Sequence, residues 1–275
     1  MALLSTVVLG VLAGPSPAGA AVSLPAYDHV VIVVEENHAA SQIIGNRSAP
    51  FLNTLAANGA LMTQSYAVAH PSQPNYLALF AGDTFGIGSD ACPLSLGPAP
   101  NLASELIAAG YSFGGYAEDL PAVGSTVCSA GKYARKHAPW VNFANVPPAA
   151  SVPASAFSVG PQLPTVSFVV PNLDNDMHDG SVAQADAWLA TTIAPYANWA
   201  KANRSLLIVT FDEDDDSEHN QITTVLYGAG VRPGVYGEAI NHYSVLSTVE
   251  QIYGLPKTGL AAATAPIASI WATTP

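Results

Sequence analysis

The sequence predicts a single α/β domain built on a mostly parallel central sheet with helices on both faces. Three observations carry that expectation. Short Val- and Ile-rich runs without a helical period read as strands buried on both faces. Helical patterns alternate with them along the chain. Three of the runs stop at acidic or amide clusters, and a parallel sheet gathers such clusters outside the carboxyl ends of its strands.

In chain order, the first strand is 30–34, in "HVVIVVEEN". A helix follows over 49–59, in "APFLNTLAANG", and another starts near Ser72 in "AHPSQPNYLALFAG". The stretch 101–110 is helical and closed by Gly110, and "SFGGYAED" after Tyr111 reads as a strand. The Pro-, Ala- and Ser-rich segment 145–164 reads as a surface excursion. Strands follow at 166–170 ("VSFVV"), 206–211 ("LLIVTF") and 224–227 ("TVLY"), with helices over 181–200 and 242–254. No internal repeat is visible.

The chain has 275 residues, 49% of them hydrophobic, enough for a sizeable core. With 8 basic and 20 acidic residues its net charge is −12, which argues against a nucleic-acid-binding patch and against anionic lipid headgroups. Residues 1–20 combine an apolar stretch with the small residues Ala18-Gly19-Ala20 and read as a secretory signal peptide, ahead of one domain over 21–275 with its core at about 26–256. The expected location is secreted, extracellular or periplasmic. No other apolar run is long enough to span a bilayer. Cys92 and Cys128 suggest one disulfide in an exported protein, the alternative being two buried thiols.

The chemistry gathers at strand ends. Glu35-Glu36-Asn37 closes the first strand, "PNLDNDMHDG" follows 166–170, and "DEDDDSEHN" follows 206–211. Any one cluster alone reads as a solvated turn; three together read as a site. Carboxylates brought together need protons or a cation, and Glu, Asp and Asn supply hard oxygen donors for a divalent metal. The 212–223 run is not a calcium loop of the helix–loop–helix kind, because its sixth position is Ser217 and its twelfth Thr223. Side chains alternate along a strand, so only one of Glu35 and Glu36 can face the site; Glu36 is expected to do so.

Ser72 is either an ordinary helix-capping serine or a nucleophile at a helix start, where free N–H groups favour phosphate. Asn75, one turn on, is expected to donate its amide to the same anion. No G-x-S-x-G elbow occurs, so Ser72 would be activated by a metal instead. Among the histidines, His178 and His137 are the first candidates for site roles, His219 follows, His242 comes last, and His29 and His70 read as structural. Lys136, beside His137, is one of few cations available to an anionic substrate.

The motifs "EEN", "HPSQPNY", "YARKHAPW", "NLDNDMHDG", "VTFDEDD" and "NHYSVLSTVEQIYGLP" occur in this order over about 30–256. As a set they resemble the bacterial phosphoesterase family of secreted acid phosphatases and phospholipase C enzymes, within the alkaline phosphatase superfamily. The resemblance implies an alkaline-phosphatase-like fold and a hydrolase acting on a small phosphorylated substrate. It implies Glu36, Asn37, Asp212 and Glu213 as metal ligands, with Ser72 as the metal-bound nucleophile that forms a phosphoserine. It also implies Asn75, His137 and His178 as groups that bind phosphoryl oxygens or protonate the leaving group. A second metal would draw on Asp174, His178 and His219. The ion expected is calcium, magnesium, manganese or zinc. Tyr76 stands where the sulfatase signature has arginine, and Asp214-Asp215 where the phospholipase C branch has two glycines. These departures favour a compact phosphatase; a phospholipase C-type diesterase and a non-catalytic metal-binding protein are the alternatives.

Overall fold

The structure is a computed structural model that describes residues 24–272, so the expected signal peptide lies outside the described residues. Along the chain run β1 (His29–Glu35), α1 (Ala40–Ile43), α2 (Pro50–Asn58), β2 (Ala60–Tyr66), α3 (Ser72–Ala81), α4 (Leu102–Ala108) and β3 (Phe113–Ala117). A two-stranded ribbon of β4 (Ser129–Ala130) and β5 (Tyr133–Ala134) precedes β6 (Ser151–Pro153) and β7 (Val166–Val170). Then come α5 (Val182–Thr192), α6 (Ala194–Ala202), β8 (Ser205–Phe211), β9 (Thr224–Gly228), β10 (Gly234–Asn241) and α7 (His242–Ile252).

Eight strands form one sheet in the order β10-β2-β9-β8-β1-β7-β3-β6. Only β9 runs against its neighbours, β2 and β8. The carboxyl ends of the other seven therefore share one edge, as the sequence predicts for its strands at 30–34, 166–170 and 206–211. Three strands of this sheet were not expected, nor was the β4–β5 ribbon. β2 carries Thr63 and Gln64 exposed in mid-strand, β10 alternates exposed and half-buried residues, and β6 is three residues inside the Pro-rich excursion. None presents the continuous apolar run that marks a strand buried on both faces.

β1 shows why the core has two halves. Val30, Ile32 and Val34 face the layer of α3, α4 and α7, among Leu77, Phe80, Leu106 and Val249. Val31 and Val33 face the opposite layer of α2, α5 and α6, among Leu52, Leu189 and Tyr196. The period-2 alternation of a strand puts both layers on one rigid central strand. The helix expected over 181–200 is two helices that break at Ile193; Pro195 sits in the first turn of the second, where its missing N–H cannot continue the hydrogen-bond ladder of the first. Cys92 and Cys128 form a disulfide, with Cα atoms 5.8 Å apart.

Candidate active site

The ends of β1, β7 and β8 are tied together by backbone. Glu36 N–H donates to Asp176 O at 2.8 Å, and Asp212 N–H donates to Glu35 O at 2.9 Å. Asn37 turns the chain with φ 54°, which points its own N–H to Asp212 Oδ1 at 3.2 Å. Three acidic side chains, Glu36, Asp176 and Asp212, are thus fixed side by side and fully buried. His242, at the start of α7, braces the same edge by a 2.7 Å contact from its Nε2 to Asp212 O. Burial holds this histidine down to about pKa 4, so it is neutral at ordinary pH.

Alternation separates the paired glutamates. Glu36 follows Val34 onto the α3 face, and its Oε2 lies 3.1 Å from Ser72 Oγ. Glu35 points the other way, buried with neither carboxylate oxygen hydrogen-bonded. Burial, and after it Asp176, Asp186 and Glu118, raise the Glu35 pKa well above the usual carboxylate range.

Ser72 opens α3 after the cis peptide His70–Pro71. Its hydroxyl lies between Glu36 Oε2 and Glu213 Oε1, at 3.1 and 3.2 Å, with Lys136 Nζ at 3.5 Å. The helix start itself is less open to an anion than the sequence suggests. Pro74 has no N–H, and Gln73 N–H is already given to Asp90 Oδ1 at 3.0 Å. Asn75 does not offer its amide to an anion either. Nδ2 donates to Ala69 O at 2.8 Å, and Oδ1 accepts from Val68 and Ala69 N–H at 3.0 Å. This buried amide shapes the 67–71 loop that delivers Ser72.

A second focus lies on the other oxygen of Glu36. Oε1 accepts from Tyr76 Oη at 2.6 Å and lies 3.0 Å from His137 Nε2. His137 Nδ1 lies 3.2 Å from Asp176 Oδ2, and the imidazole stacks on the Tyr76 ring, centroids 5.0 Å apart. Ligand atoms of Glu36, His137 and Asp176 all fall within 4.8 Å of one another, so this buried group can hold a metal ion.

The electrostatics follow from burial. Glu36 is raised well above its usual pKa by burial and then by Asp212 and Asp176; Asp212 is raised by burial and then by Glu213. Burial pushes Asp176 up to about 7. His137 is held well below the usual imidazole value by burial, then by Lys136 and His178. Carboxylates buried this close together need protons or a cation to offset their charge.

The expected second metal set does not assemble. Asp174 is half-exposed and pairs with Lys132 Nζ at 2.7 Å. His178 contacts Asp179 through Nδ1 at 2.8 Å and Lys136 through Nε2 at 3.3 Å. His219 sits exposed on the 212–220 loop with φ 55°. The carboxylate that reaches the site from "NLDNDMHDG" is Asp176, two residues on from Asp174: Asp174 N–H turns back onto Asn172 Oδ1 at 3.1 Å, and its side chain heads outward. His70, read as structural, lies 2.7 Å from Glu213 Oε2 through Nδ1 and 3.3 Å from Asp214 and Asp216 through Nε2. Its place two residues before Ser72 was the available signal.

Residues 46–256 match the model of the phosphoesterase family. The chain belongs to this family. A phosphatidylinositol-3-phosphatase of Mycobacterium tuberculosis is 68% identical over 255 residues, covering 92% of this chain and 85% of that protein. An acid phosphatase of Aspergillus fumigatus is 33% identical over 226 residues; the match covers 74% of this chain and about half (51%) of that longer protein. A protein of the alkaline phosphatase superfamily from Vibrio parahaemolyticus shares the fold at a TM-score of 0.63 and 15% identity, with 88% of this chain and 71% of that one aligned. This phosphoesterase is accordingly a hydrolase of phosphoric esters on an alkaline-phosphatase-like fold. No helix among the described residues is long and apolar enough to cross a membrane.

Proposed function

We propose that the protein is an exported, metal-dependent phosphomonoesterase that works through Ser72 and a phosphoserine intermediate. The observation that carries the reading is a serine hydroxyl at a buried helix start, within 3.2 Å of two carboxylates and 3.5 Å of a lysine. The names of the relatives from Mycobacterium and Aspergillus support a monoester, with the phosphorylated inositol headgroup as the candidate natural substrate. The disulfide supports an oxidising compartment.

The donor set suits a divalent ion. Asp212 Oδ2 is buried without a hydrogen-bond partner, and the buried Asp176 Oδ2, Glu213 Oε2 and both ring nitrogens of His137 make close charge contacts with one another, Glu36 or His70 that lack hydrogen-bond geometry. Glu36, Asp212 and Glu213, with Asn37 and Ser72, would hold an ion on oxygen; Glu36, His137 and Asp176 would hold one on mixed oxygen and nitrogen. When bound, such an ion offsets the carboxylate charge and lowers the pKa of the serine hydroxyl. Ser72 Oγ passes its proton to Glu213 as it bonds to phosphorus, and the bond from phosphorus to the alcohol oxygen breaks. The leaving alcohol takes a proton from His178. His178 suits this better than His137, whose ring is closed off between Glu36 and Asp176. Water then adds to phosphorus and gives one proton to His178, the bond from phosphorus to Ser72 Oγ breaks, and Ser72 recovers its own proton from Glu213. The sum is one ester and one water giving one alcohol and one phosphate.

Assay of p-nitrophenyl phosphate, bis-p-nitrophenyl phosphate and a short-chain phosphatidylinositol 3-phosphate, with and without EDTA, tests this directly. The monoesters should turn over, EDTA should abolish turnover, and Ser72→Ala should cost several powers of ten, about 10⁴ or more. Full, EDTA-insensitive activity in Ser72→Ala would refute it.

A further inference from the structure

The site is crowded with negative charge and has one Lys or Arg against its nucleophile among the described residues. Lys136 Nζ lies 3.5 Å from Ser72 Oγ, 2.8 Å from Asp90 Oδ2 and 3.3 Å from His178 Nε2. Its side chain is only 17% exposed, in a chain with 8 basic residues in total.

Asp90 is itself held from several sides. Its Oδ1 takes Gln73 N–H in the first turn of α3. The Gln73 amide reaches back to Ser89 O and Ala91 O, on either side of Asp90, at 3.3 and 3.2 Å. Two residues on, Cys92 is bonded to Cys128 in the segment that leads to Lys136. The same short loop is thus fastened to the helix that carries Ser72 and to the strand pair that precedes Lys136. In this helix start Asn75 is turned inward, Pro74 lacks an N–H and Gln73 N–H is occupied, so these three do not face a phosphoryl oxygen.

We propose that Lys136 binds a non-bridging phosphoryl oxygen and makes the enzyme select dianionic phosphomonoesters over diesters, with Asp90 as the residue that positions it. This rests on Ser72 being the nucleophile. A monoester carries nearly two negative charges at neutral pH and a diester one, so among these carboxylates the dianion depends more on the ammonium. A diester also replaces one of the oxygens that Lys136 would meet with an alkoxy group.

The test compares Lys136→Met, Lys136→Arg, Asp90→Asn and Asp90→Glu on p-nitrophenyl phosphate and bis-p-nitrophenyl phosphate, with inorganic phosphate as inhibitor and thermal melting as a fold control. Lys136→Met should lose about 10²–10³ in kcat/KM on the monoester, the scale of one lost anion-stabilising donor. It should lose about tenfold or less on the diester and bind phosphate more weakly, with Lys136→Arg recovering part of the loss. Asp90→Asn should lower the monoester-to-diester ratio, and Asp90→Glu should restore part of it. Equal losses on both esters, or an unchanged inhibition constant for phosphate in Lys136→Met, would overturn the proposal. Phosphate inhibition needs no nucleophile, so it still decides the role of Lys136 if Ser72→Ala stays active and the nucleophile reading fails.

Discussion

Glu36 has two oxygens, and each serves a different neighbourhood. Oε2 meets Ser72, while Oε1 meets Tyr76 and His137. The residue is therefore the hinge between the serine and the buried Glu–His–Asp group. The raised pKa values there have a consequence for stability. A carboxyl whose folded pKa lies above its unfolded value keeps its proton longer in the native state, so stability falls as pH rises through that interval. For Asp176 the interval runs from 3.8 to about 7; Glu36 and Asp212 shift in the same direction. His242 and His137, whose folded pKa values lie below the usual imidazole 6.5, act the other way only below that pH, so metal-free protein in EDTA should melt at progressively lower temperature from pH 6.5 to 8, and added divalent metal should flatten the trend. A metal-free melting temperature that does not fall with pH would contradict the assigned electrostatics. Much of this site was legible in the sequence: Glu36, Ser72, Asp212 and Glu213 stand at strand and helix ends that apolar runs announce. Asp176 was not, because two aspartates two residues apart in a tight turn look alike until its backbone hydrogen bonds are known.

At the scale of elements, β1 does the sorting. Its alternation sends Glu36 toward α3 and Glu35 toward the α5 layer, where Asp186 has a different task. Asp186 Oδ1 and Oδ2 accept Leu52 and Phe51 N–H, both at 2.9 Å, and so cap α2 from another helix. Asp186→Ala should cost about 1–2 kcal/mol of stability, the usual cost of a lost cap, with kcat nearly unchanged; denaturant melts and a kinetic assay check both halves. Local sequence could not show this cap, since donor and acceptor are 134 residues apart. The same holds for β2 and β10. Their pairing with each other is parallel and reaches from Ala60 to Gly234, and neither strand's composition demands it. The four strands at 30–34, 166–170, 206–211 and 224–227 were readable because burial on both faces leaves little room for polar residues.

For the molecule as a whole, seven strands ending on one edge turn scattered motifs into one site. The disulfide fastens that edge from outside the sheet, closing a span of 36 residues between two long loops. Replacing both cysteines by serine should remove about 2–4 kcal/mol of stability, read as a fall in the denaturant midpoint. It should also weaken the monoester preference, because Asp90 and Lys136 lie on the two segments it joins. A variant with unchanged stability would show that the loops are held by their packing alone. The central claim is that Ser72 carries the phosphoryl group. Rapid acid quenching of enzyme turning over p-nitrophenyl phosphate, followed by mass spectrometry of its peptides, tests that claim most directly. The account predicts one phosphoryl group on the peptide containing Ser72, absent in Ser72→Ala; turnover with no labelled peptide, or with the label on another residue, would contradict it.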